Sequence, residues 1–279
     1  MRVAVIPGDG IGPEVISAAV RAIEVVADDL EMVTADMGLG AFQRTGSYLP
    51  ERTLELLRDV PAALFGAITS PLSYDASYRS PLLRIRKEFD LYANIRPVRR
   101  LQPDIGMVDL DVIIVRENTE GMYTGVERDI DGGVVTERKV TRRACERLVD
   151  RAVRLCREQG RKRLTCVHKS NVLRRSDGLF REVFYERTEG QVNMGDRLAL
   201  FEPTHGSAPD IAGKGLANPV AAMLSAAMML RHLGMGEKAS RMERAIEGTL
   251  SRGNRTADAG GRLGTEGFTT AYLEVLGSR

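Results

Sequence analysis

Short apolar runs that end at turn residues alternate along this chain with longer segments of helical period. Residues 3–6 form an apolar run that stops at a proline and a glycine, and residues 13–27 then carry apolar side chains at helical spacing. Pro13 suits the first turn of that helix. The same order returns, with helices predicted at 54–57 and 82–91 and strands at 62–67 and 112–115. This alternation predicts an α/β protein.

The composition is that of a globular protein and gives no reason to expect binding to nucleic acid or a membrane. The 279 residues include 40 Lys+Arg and 38 Asp+Glu, a net charge of +2, so no long-range field favours nucleic acid or a membrane surface. No segment approaches the roughly 20 apolar residues of a membrane-spanning helix. The three cysteines lack CxxC spacing, which favours reduced thiols. We therefore expect a cytoplasmic protein without nucleic-acid or membrane partners.

The middle of the chain contains a hairpin pattern followed by further elements. Residues 127–139 place Asp131, Gly132 and Gly133 at a tight turn between two exposed strands, an antiparallel arm suited to pairing with another subunit. Thr141 is predicted to cap a helix that runs to about residue 158. Further along, the pattern predicts a strand at 164–167 and helices at 172–187, 218–233 and 237–250.

Three arginines stand beside apolar or strand-like sequence, where a permanent charge needs an anionic partner. They are Arg86, Arg96 and Arg116. Guanidinium forks match carboxylates bidentately, so the trio indicates a pocket for a di- or tricarboxylic acid. The alternative is that they are ordinary surface arginines in a chain with 40 basic residues.

Polar residues follow two predicted strands at the ends where α/β folds bind ligands. Tyr123, seven residues after Arg116, is a candidate general acid or a half-buried tyrosine at the rim. Lys169 lies in the sequence HKSN directly after the strand-like LTCV and is a candidate base. Ser170 or Asn171 is expected to cap the next helix.

Two glycine-rich segments invite a nucleotide-binding interpretation. Gly8, Gly10 and Gly12 alternate instead of following GxGxxG, which favours a tight strand-to-helix turn over a phosphate cradle. Residues 201–219 form a Gly- and Pro-rich loop that could surround an adenosine, with Asp210 accepting from a ribose hydroxyl, or be a plain surface loop.

Five motifs occur in order: IPGDGIGPEV, IRKEFDLYANIRPV, VRENTEGMYTG, HKSNVL and FEPTHGSAPDIAGKGLANP. With them the chain resembles the β-decarboxylating dehydrogenases, which act on isocitrate, homoisocitrate, 3-isopropylmalate and tartrate or malate. The resemblance implies a two-domain α/β fold with a mixed central sheet flanked by helices and an antiparallel arm, and not a Rossmann fold. It implies a large, cofactor-side domain at 1–98 and 196–279 and a small substrate and dimerisation domain at 99–195.

The resemblance also implies roles for the residues of the substrate site. Arg86, Arg96 and Arg116 would bind the malate-type carboxylates, and Tyr123 would protonate the enol carbon after loss of carbon dioxide. Lys169 of a partner subunit would take the proton from the C2 hydroxyl as hydride leaves. The protein is thus expected to be a homodimer, or a tetramer.

The same resemblance implies NAD as the cofactor. Ile11 would lie near the nicotinamide. Relatives that use NADP carry a basic residue where Asp210 stands, and a carboxylate there repels a 2′-phosphate while bonding a 2′-hydroxyl. The residues implied around the adenosine are His205, Gly206, Ser207, Ala208, Asp210 and Asn218.

Leu82 and Leu83 stand where the family selects its substrate. They resemble the apolar wall that accepts an isopropyl group, whose burial is worth about 2 kcal/mol, and they favour conversion of 3-isopropylmalate to 2-oxoisocaproate in leucine biosynthesis. Arg79, Ser80 and Arg84 flank the leucines, and the NTEG wording is shared with other members. Isocitrate and homoisocitrate therefore remain alternative substrates.

One segment departs from the family pattern. Near residues 187–194 the resemblance implies further strands and helices, with the aspartates that hold Mg²⁺ or Mn²⁺, and these are absent from the sequence. Asp177, Glu182 and Glu186 are acidic but do not stand at the missing positions, so the metal ligands are unknown. Either the natural protein carries more residues here, or a deletion has left a non-catalytic binding or regulatory subunit.

Overall fold

The computed structural model describes residues 1–71, 78–102, 110–188, 199–203 and 205–278, which belong to two compact units. Unit 1 comprises Met1–Pro81, Arg99–Leu110 and Arg197–Arg279, and unit 2 comprises Leu82–Val98 and Asp111–Asp196. These bounds differ from the predicted domains, because residues 82–98 lie in unit 2 and residues 99–110 lie in unit 1. The assignment of cofactor and substrate sides to the two units stays a prediction.

The elements alternate as the sequence predicts, and the α/β class is confirmed. The strands are β1 (Arg2–Gly8), β2 (Glu31–Thr34), β3 (Ala62–Ala67), β4 (Ala93–Arg99), β5 (Asp111–Glu117), β6 (Glu127–Ile130), β7 (Gly133–Thr136) and β8 (Ala199–Phe201). The helices are α1 (Gly12–Val26), α2 (Leu39–Thr45), α3 (Glu51–Asp59), α4 (Pro81–Glu88), α5 (Arg142–Glu158), α6 (Ser176–Thr188), α7 (Val220–His232), α8 (Gly236–Ser251) and α9 (Thr265–Gly277).

Unit 1 is built on a sheet with the strand order β2-β1-β3-β8. Its described pairings are all parallel, where the family resemblance implied a mixed sheet. All six residues of β3 are buried, as expected of a parallel strand inside an α/β fold. Helix α1 packs on β1 and β3, and α7, α8 and α9 complete the core around the fully buried Phe268 and Tyr272. The apolar α7 therefore belongs to a core.

Unit 2 contains a two-stranded sheet of β4 and β5, the β6-β7 hairpin and the packed pair α5 and α6. The hairpin is antiparallel, pairs Ile130 with Gly133, and turns through Gly132 at φ +71°. Thr141 caps α5, since its Oγ1 accepts from the Ala144 amide at 3.2 Å. The predicted hairpin and cap are both confirmed.

Three local predictions in unit 2 are wrong. Residues 164–167 form no strand, and α6 begins at Ser176, so neither Ser170 nor Asn171 directly precedes it to cap it. Helix α4 ends at Glu88 instead of 91, because Asp90 adopts a left-handed conformation at φ +48°. Such a residue stops the repeating helical hydrogen bonds.

The cysteines are free, as predicted, and burial raises the pKa of Cys145 to about 11, which keeps that thiol protonated. Within the described ranges, no helix is both long and apolar enough to cross a membrane.

Candidate active site

The turn from β1 into α1 brings two predicted cofactor residues together. Gly10 has φ +62°, and a Cβ there would lie 1.9 Å from the Ser207 carbonyl oxygen, so only glycine allows the two backbones to approach. The Ile11 amide then donates to that oxygen at 2.9 Å. The predicted strand-to-helix turn is confirmed, and it is locked to the loop at 205–217.

Asp9 organises the same edge of the sheet, and sequence reasoning missed it. Its carboxylate accepts from three backbone amides, those of Leu39 at 2.7 Å, Gly40 at 2.8 Å and Thr69 at 3.0 Å. The residue is 9% exposed, so these bonds satisfy a buried charge. An aspartate between two glycines at the end of the first strand was the available signal.

The other predicted adenosine residues lie on one loop of unit 1. His205 directs Nδ1 at the Gly206 carbonyl oxygen, 3.0 Å away, while its Nε2 is buried and has no hydrogen-bond partner among the described residues. Ala208 adopts φ +40° and Asp210 is exposed. The buried ring nitrogen and the exposed carboxylate leave this loop with polar groups free to meet a ligand.

Asn218 has a structural task that the sequence did not reveal. Its side-chain oxygen accepts from the Val220 amide at 3.0 Å, at the start of α7, and its amide donates to Asp258 at 2.9 Å. Both ends of the side chain are therefore engaged within unit 1, and its predicted contact with adenosine stays a prediction.

In unit 2, backbone hydrogen bonds tie together the elements that carry the three arginines. Arg86 lies on α4 and is 8% exposed. Its carbonyl accepts from the Leu91 amide at 2.8 Å, and the carbonyl of the next residue, Tyr92, accepts from the Asn118 amide at 2.9 Å. Arg96 and Arg116 lie on the adjacent strands β4 and β5. The described structure thus holds the three arginines on one connected framework.

Arg116 and Tyr123 are brought together as the sequence predicts. The Arg116 guanidinium carbon lies 5.3 Å from the centre of the Tyr123 ring, and Nη2 donates to the Asn118 side chain at 3.2 Å. Its Nε is buried and has no hydrogen-bond partner in the described part of the chain. A buried guanidinium donor without a partner is costly, so this arrangement suits an incoming anion.

The leucines proposed to select the substrate share a helix face with Arg86. Leu82 and Leu83 occupy the first turn of α4, four and three residues before it, and both are half-buried. Residues at these spacings are neighbours on a helix surface. Two half-buried leucines therefore lie on the helix face that carries Arg86.

The acidic residues of the NTEG turn hold the backbone after β5. Glu117 accepts from the Thr119 hydroxyl at 2.7 Å and from the Glu120 amide at 2.6 Å. Glu120 in turn accepts from both the amide and the hydroxyl of Thr141, at 2.9 and 2.8 Å. These carboxylates fix the loop that leads to Tyr123.

Arg147 of α5 clamps the framework from the side and was missed by sequence reasoning. It donates to Asp90 at 2.5 Å and to the Thr119 hydroxyl at 2.9 Å, and its guanidinium carbon lies 4.4 Å from the centre of the Tyr92 ring. It joins segments far apart in sequence, so local patterns carry no signal of its role.

Lys169 is exposed, and its described contacts are made through its backbone. Its amide donates to Asp177 at 2.6 Å, and the other oxygen of that carboxylate accepts from Arg138 at 2.5 Å. Burial would raise the pKa of Asp177, but the hydrogen bonds from Lys169 and Arg138 outweigh it, so that pKa lies below its usual range. No described contact joins Lys169 to Tyr123 in one chain.

The acidic residues in the described ranges do not fit the divalent metal that the resemblance implies. No group of three or more His, Cys, Asp or Glu side chains among them converges on a point. Asp177 is paired with Arg138, and Glu182 and Glu186 are both paired with Arg142. Mg²⁺ and Mn²⁺ need several oxygen ligands, and these oxygens are already committed to arginines.

A family comparison decides the membership of the chain. Residues 2–195 and 188–274 match the model of the isocitrate/isopropylmalate dehydrogenase family. The chain belongs to that family. Within it, the chain is 39% identical over 320 residues to the 3-isopropylmalate dehydrogenase of Methanothermobacter thermautotrophicus, with 95% of each chain covered. It is 38% identical to the isocitrate/homoisocitrate dehydrogenase of Thermus thermophilus, with 99% of each covered.

Solved structures of family members share the fold. The isocitrate dehydrogenase of Methylococcus capsulatus matches with a TM-score of 0.91 and 32% identity, over 99% of each chain. A β-decarboxylating dehydrogenase of Thermococcus kodakarensis, in its apo form, matches with a TM-score of 0.83 and 37% identity, over 99% of this chain and 96% of that one. The two-domain dehydrogenase fold is thereby confirmed.

Proposed function

We propose that this family member carries out the NAD-dependent oxidative decarboxylation of a 2-hydroxy dicarboxylic acid, with 3-isopropylmalate as substrate and 2-oxoisocaproate as product. The observation that carries the proposal is the Arg116–Tyr123 pair, which sets a buried guanidinium Nε with no hydrogen-bond partner among the described residues beside a phenol. Arg86 and Arg96 on the connected elements add two further carboxylate-binding groups. Such a set suits a doubly anionic acid better than a neutral substrate.

Each group has a task in this reaction. The arginines bind and orient the carboxylates of the acid. Lys169, supplied by the second subunit of a homodimer, would accept the proton of the C2 hydroxyl. The loop at 205–217 would hold NAD, which would supply the acceptor for the hydride of C2. The C3 carboxylate leaves as carbon dioxide, and Tyr123 donates a proton to C3 of the enol. The described carboxylates do not fit Mg²⁺ or Mn²⁺, so no step is assigned to a metal.

The substrate preference rests on the first turn of α4. An isopropyl group packed on Leu82 and Leu83 gains about 2 kcal/mol, whereas a third carboxylate facing them would be unpaired. Isocitrate and homoisocitrate are the competing substrates, because relatives of similar identity carry those names.

NAD is the proposed cofactor because Asp210 is an exposed carboxylate on the loop at 205–217. It accepts from a ribose hydroxyl and repels the 2′-phosphate of NADP. The Asp210→Lys variant is expected to lose preference for NAD over NADP, and an unchanged preference would place the ribose elsewhere.

An absorbance assay at 340 nm tests the activity. The protein is given 3-isopropylmalate, isocitrate or homoisocitrate with NAD or NADP, each with and without Mg²⁺ or Mn²⁺. The proposal expects the highest kcat/KM for 3-isopropylmalate with NAD. A higher value for either rival acid would replace the proposed substrate.

Two variants distinguish a specific effect of Leu82 on substrate preference from a general effect of replacing a leucine with asparagine. Leu82→Asn is expected to shift the kcat/KM ratio toward isocitrate by about tenfold, or ~1.4 kcal/mol. Leu110→Asn changes an exposed leucine of unit 1 and is expected to leave the ratio unchanged. Equal ratios in wild type and the Leu82 variant would show that this side chain does not line the substrate site.

A second candidate function is a non-catalytic subunit that binds NAD or a dicarboxylate. It is favoured by the lack of a three-acid cluster among the described residues. Calorimetry would then detect binding of NAD or the acid, while no NADH forms at any concentration of Mg²⁺ or Mn²⁺.

A further inference from the structure

Asp177 is a buried carboxylate of unit 2 whose two oxygens are bonded to segments outside its own helix. It lies in the first turn of α6 and is 5% exposed. One oxygen accepts from the Lys169 amide at 2.6 Å, and the other accepts from the Arg138 guanidinium at 2.5 Å. An aspartate that only stabilised the start of α6 would direct its oxygens at the amides of that turn. Both of these bonds leave the helix instead, so the carboxylate joins two other segments.

The bond to Asp177 completes the fixation of the Lys169 backbone. The Lys169 carbonyl accepts from the amides of Val172 at 3.0 Å and Leu173 at 2.8 Å. Asp177 holds the amide on the other side, so the planar peptide groups before and after the Cα atom are both held by hydrogen bonds. The exposed side chain of Lys169 therefore starts from a fixed position and in a fixed direction.

Arg138 lies between two residues that are bonded to the turn carrying Tyr123. Before it, the Glu137 carbonyl accepts from the Thr124 hydroxyl at 2.9 Å. After it, the Lys139 carbonyl accepts from an amide of the same turn at 2.8 Å. The buried carboxylate is thus held by a segment that is itself fixed, and it connects the turn of the candidate acid with the backbone of the candidate base.

We propose that Asp177 is a positioning residue that acts on the opposite subunit, because by fixing the backbone of Lys169 it sets where the Lys169 amine enters the partner's active site. This inference rests on the proposed function, in which Lys169 serves the second subunit of a homodimer. Proton transfer needs the two groups at hydrogen-bond distance, and a displacement of about 1 Å slows a reaction about 100-fold. A substitution at Asp177 therefore impairs the site of the neighbouring subunit and spares the site of its own.

The first measurement is the steady-state kinetics of the Asp177→Asn homodimer with 3-isopropylmalate and NAD. The value of kcat is expected to fall about 100-fold, while KM for the acid changes less than about threefold because the arginines that bind its carboxylates stay in place. Asp150→Asn is the matched control, since Asp150 is another buried carboxylate of unit 2 beside an arginine. The control is expected to keep the wild-type kcat. A wild-type kcat in Asp177→Asn would overturn the proposal.

Mixed dimers then separate an effect on the neighbouring subunit from an effect within the same subunit. Two chains with different affinity tags are produced together, and dimers that carry both tags are purified. In the first mixed dimer, one chain carries Asp177→Asn and the other carries Tyr123→Phe. The site of the Asp177→Asn chain keeps its own Tyr123 and receives Lys169 from a chain with an intact Asp177. One complete site remains, so about half of the wild-type kcat is expected.

The second mixed dimer has both substitutions in one chain and pairs that chain with a wild-type chain. One site now lacks the Tyr123 hydroxyl, and the other receives Lys169 from the altered chain, so kcat is expected to be at least about tenfold lower than in the first mixed dimer. If Asp177 only stabilised its own subunit, the second mixed dimer would keep a complete site and the first would have none. This reversed order, or equal activity of the two mixed dimers, would overturn the proposal.

Arg138→Met supplies the same comparison if Asp177→Asn does not fold. The Arg138 side chain is 36% exposed, so its replacement removes the bond to the carboxylate without opening the interior. We expect kcat to fall about tenfold, with the same order of the two mixed dimers, and a wild-type kcat would count against the proposal. A wild-type protein that forms no NADH with any of the three acids would refute the proposed function and this inference with it. An active wild type with the reversed order would refute this inference alone.

Discussion

Units 1 and 2 are both built from helices and strands, but the side chains of unit 1 are packed more completely than those of unit 2. In unit 1, helices α1, α7, α8 and α9 surround a parallel sheet, and residues such as Leu64 and Phe268 are fully buried. In unit 2, an open cleft of about 1000 Å³ is lined by residues of β5, α5 and α6. Most of the large apolar side chains that the structure describes as exposed also lie in unit 2.

The difference shows that intact motifs do not guarantee an intact core. In unit 2, hydrogen bonds hold the segments next to the three candidate arginines, as in the Glu117 turn after β5 and the Arg147 clamp on Asp90. Charged clamps of this kind fix geometry, while burial of apolar area supplies most of the stability.

A matched pair of leucine truncations gives the largest expected effect. Leu64→Ala opens a new void in the core of unit 1 and should cost about 3 to 4 kcal/mol. Leu148→Ala lies beside an existing cavity, creates no new enclosed void, and should cost only about 1 to 2 kcal/mol. Native-state hydrogen exchange of peptides from each unit measures both costs. Equal costs would show that unit 2 is as tightly packed as unit 1.

The Asp9→Asn variant tests how far the tight packing of unit 1 depends on a buried charge. The substitution replaces one carboxylate oxygen, which accepts from backbone amides, with an NH₂ group that faces the same N–H donors. We therefore expect the free energy of unfolding to fall by about 2 kcal/mol. Asp28→Asn, an exposed change in the same unit, should stay within about 0.5 kcal/mol of wild type. A loss in Asp9→Asn no larger than this control would mean that water replaces the carboxylate at little cost.

Asp177→Asn is the counterpart in unit 2, with an expected loss of about 1 to 2 kcal/mol at pH 7. The pKa of Asp177 is lowered in the folded protein, so its stabilisation is present above the unfolded value of about 3.9 and is lost as the pH falls through the folded value. The variant should therefore differ from wild type at pH 7 and converge with it toward pH 3. The hydrogen-exchange rate of the Lys169 amide, compared between wild type and variant over this pH range, measures the difference in stability. A difference that does not change with pH would assign the effect to side-chain shape instead of charge.

Asp150→Asn should give the smallest effect and the opposite sign. Burial raises the pKa of Asp150, and Arg187, 3.6 Å away, offsets this only in part. The charged form is therefore unfavourable, and stability is lost as the pH rises through the unfolded value of about 3.9 toward the higher folded value. The variant should gain about 1 kcal/mol at pH 7, because it removes a poorly satisfied buried charge. A loss at pH 7 would show that the pair with Arg187 is net stabilising.

The sequence predicted most elements because their signals are local. The strand at 62–67 matches β3, the hairpin turn at Gly132 follows from its glycine, and Thr141 caps α5 as its position suggests. The predictions failed where a partner decides the outcome. Residues 164–167 have strand composition but no adjacent strand, and Asp90 ends α4 through a backbone conformation that its residue type only permits.

The residues of the candidate site also fall into two groups, those that the local sequence indicates and those that only the folded chain reveals. The arginines and Tyr123 were found from residue type and spacing, whereas Asp9 and Arg147 act through bonds to residues distant in sequence. Asn218 is a further case, since its capping and its bond to Asp258 require the folded chain.

By itself the sequence determined the α/β class, the family motifs and the choice of Arg86, Arg96, Arg116 and Tyr123 as candidate site residues, because periodicity, turn chemistry and charge are properties of short segments. Only the tertiary structure decided that Arg116 keeps a buried donor beside Tyr123, that the acidic side chains near α6 are bound to arginines, and that unit 2 contains a cleft of about 1000 Å³. Packing and ion pairing join segments far apart along the chain, and such contacts exist only once the backbone has brought those segments together.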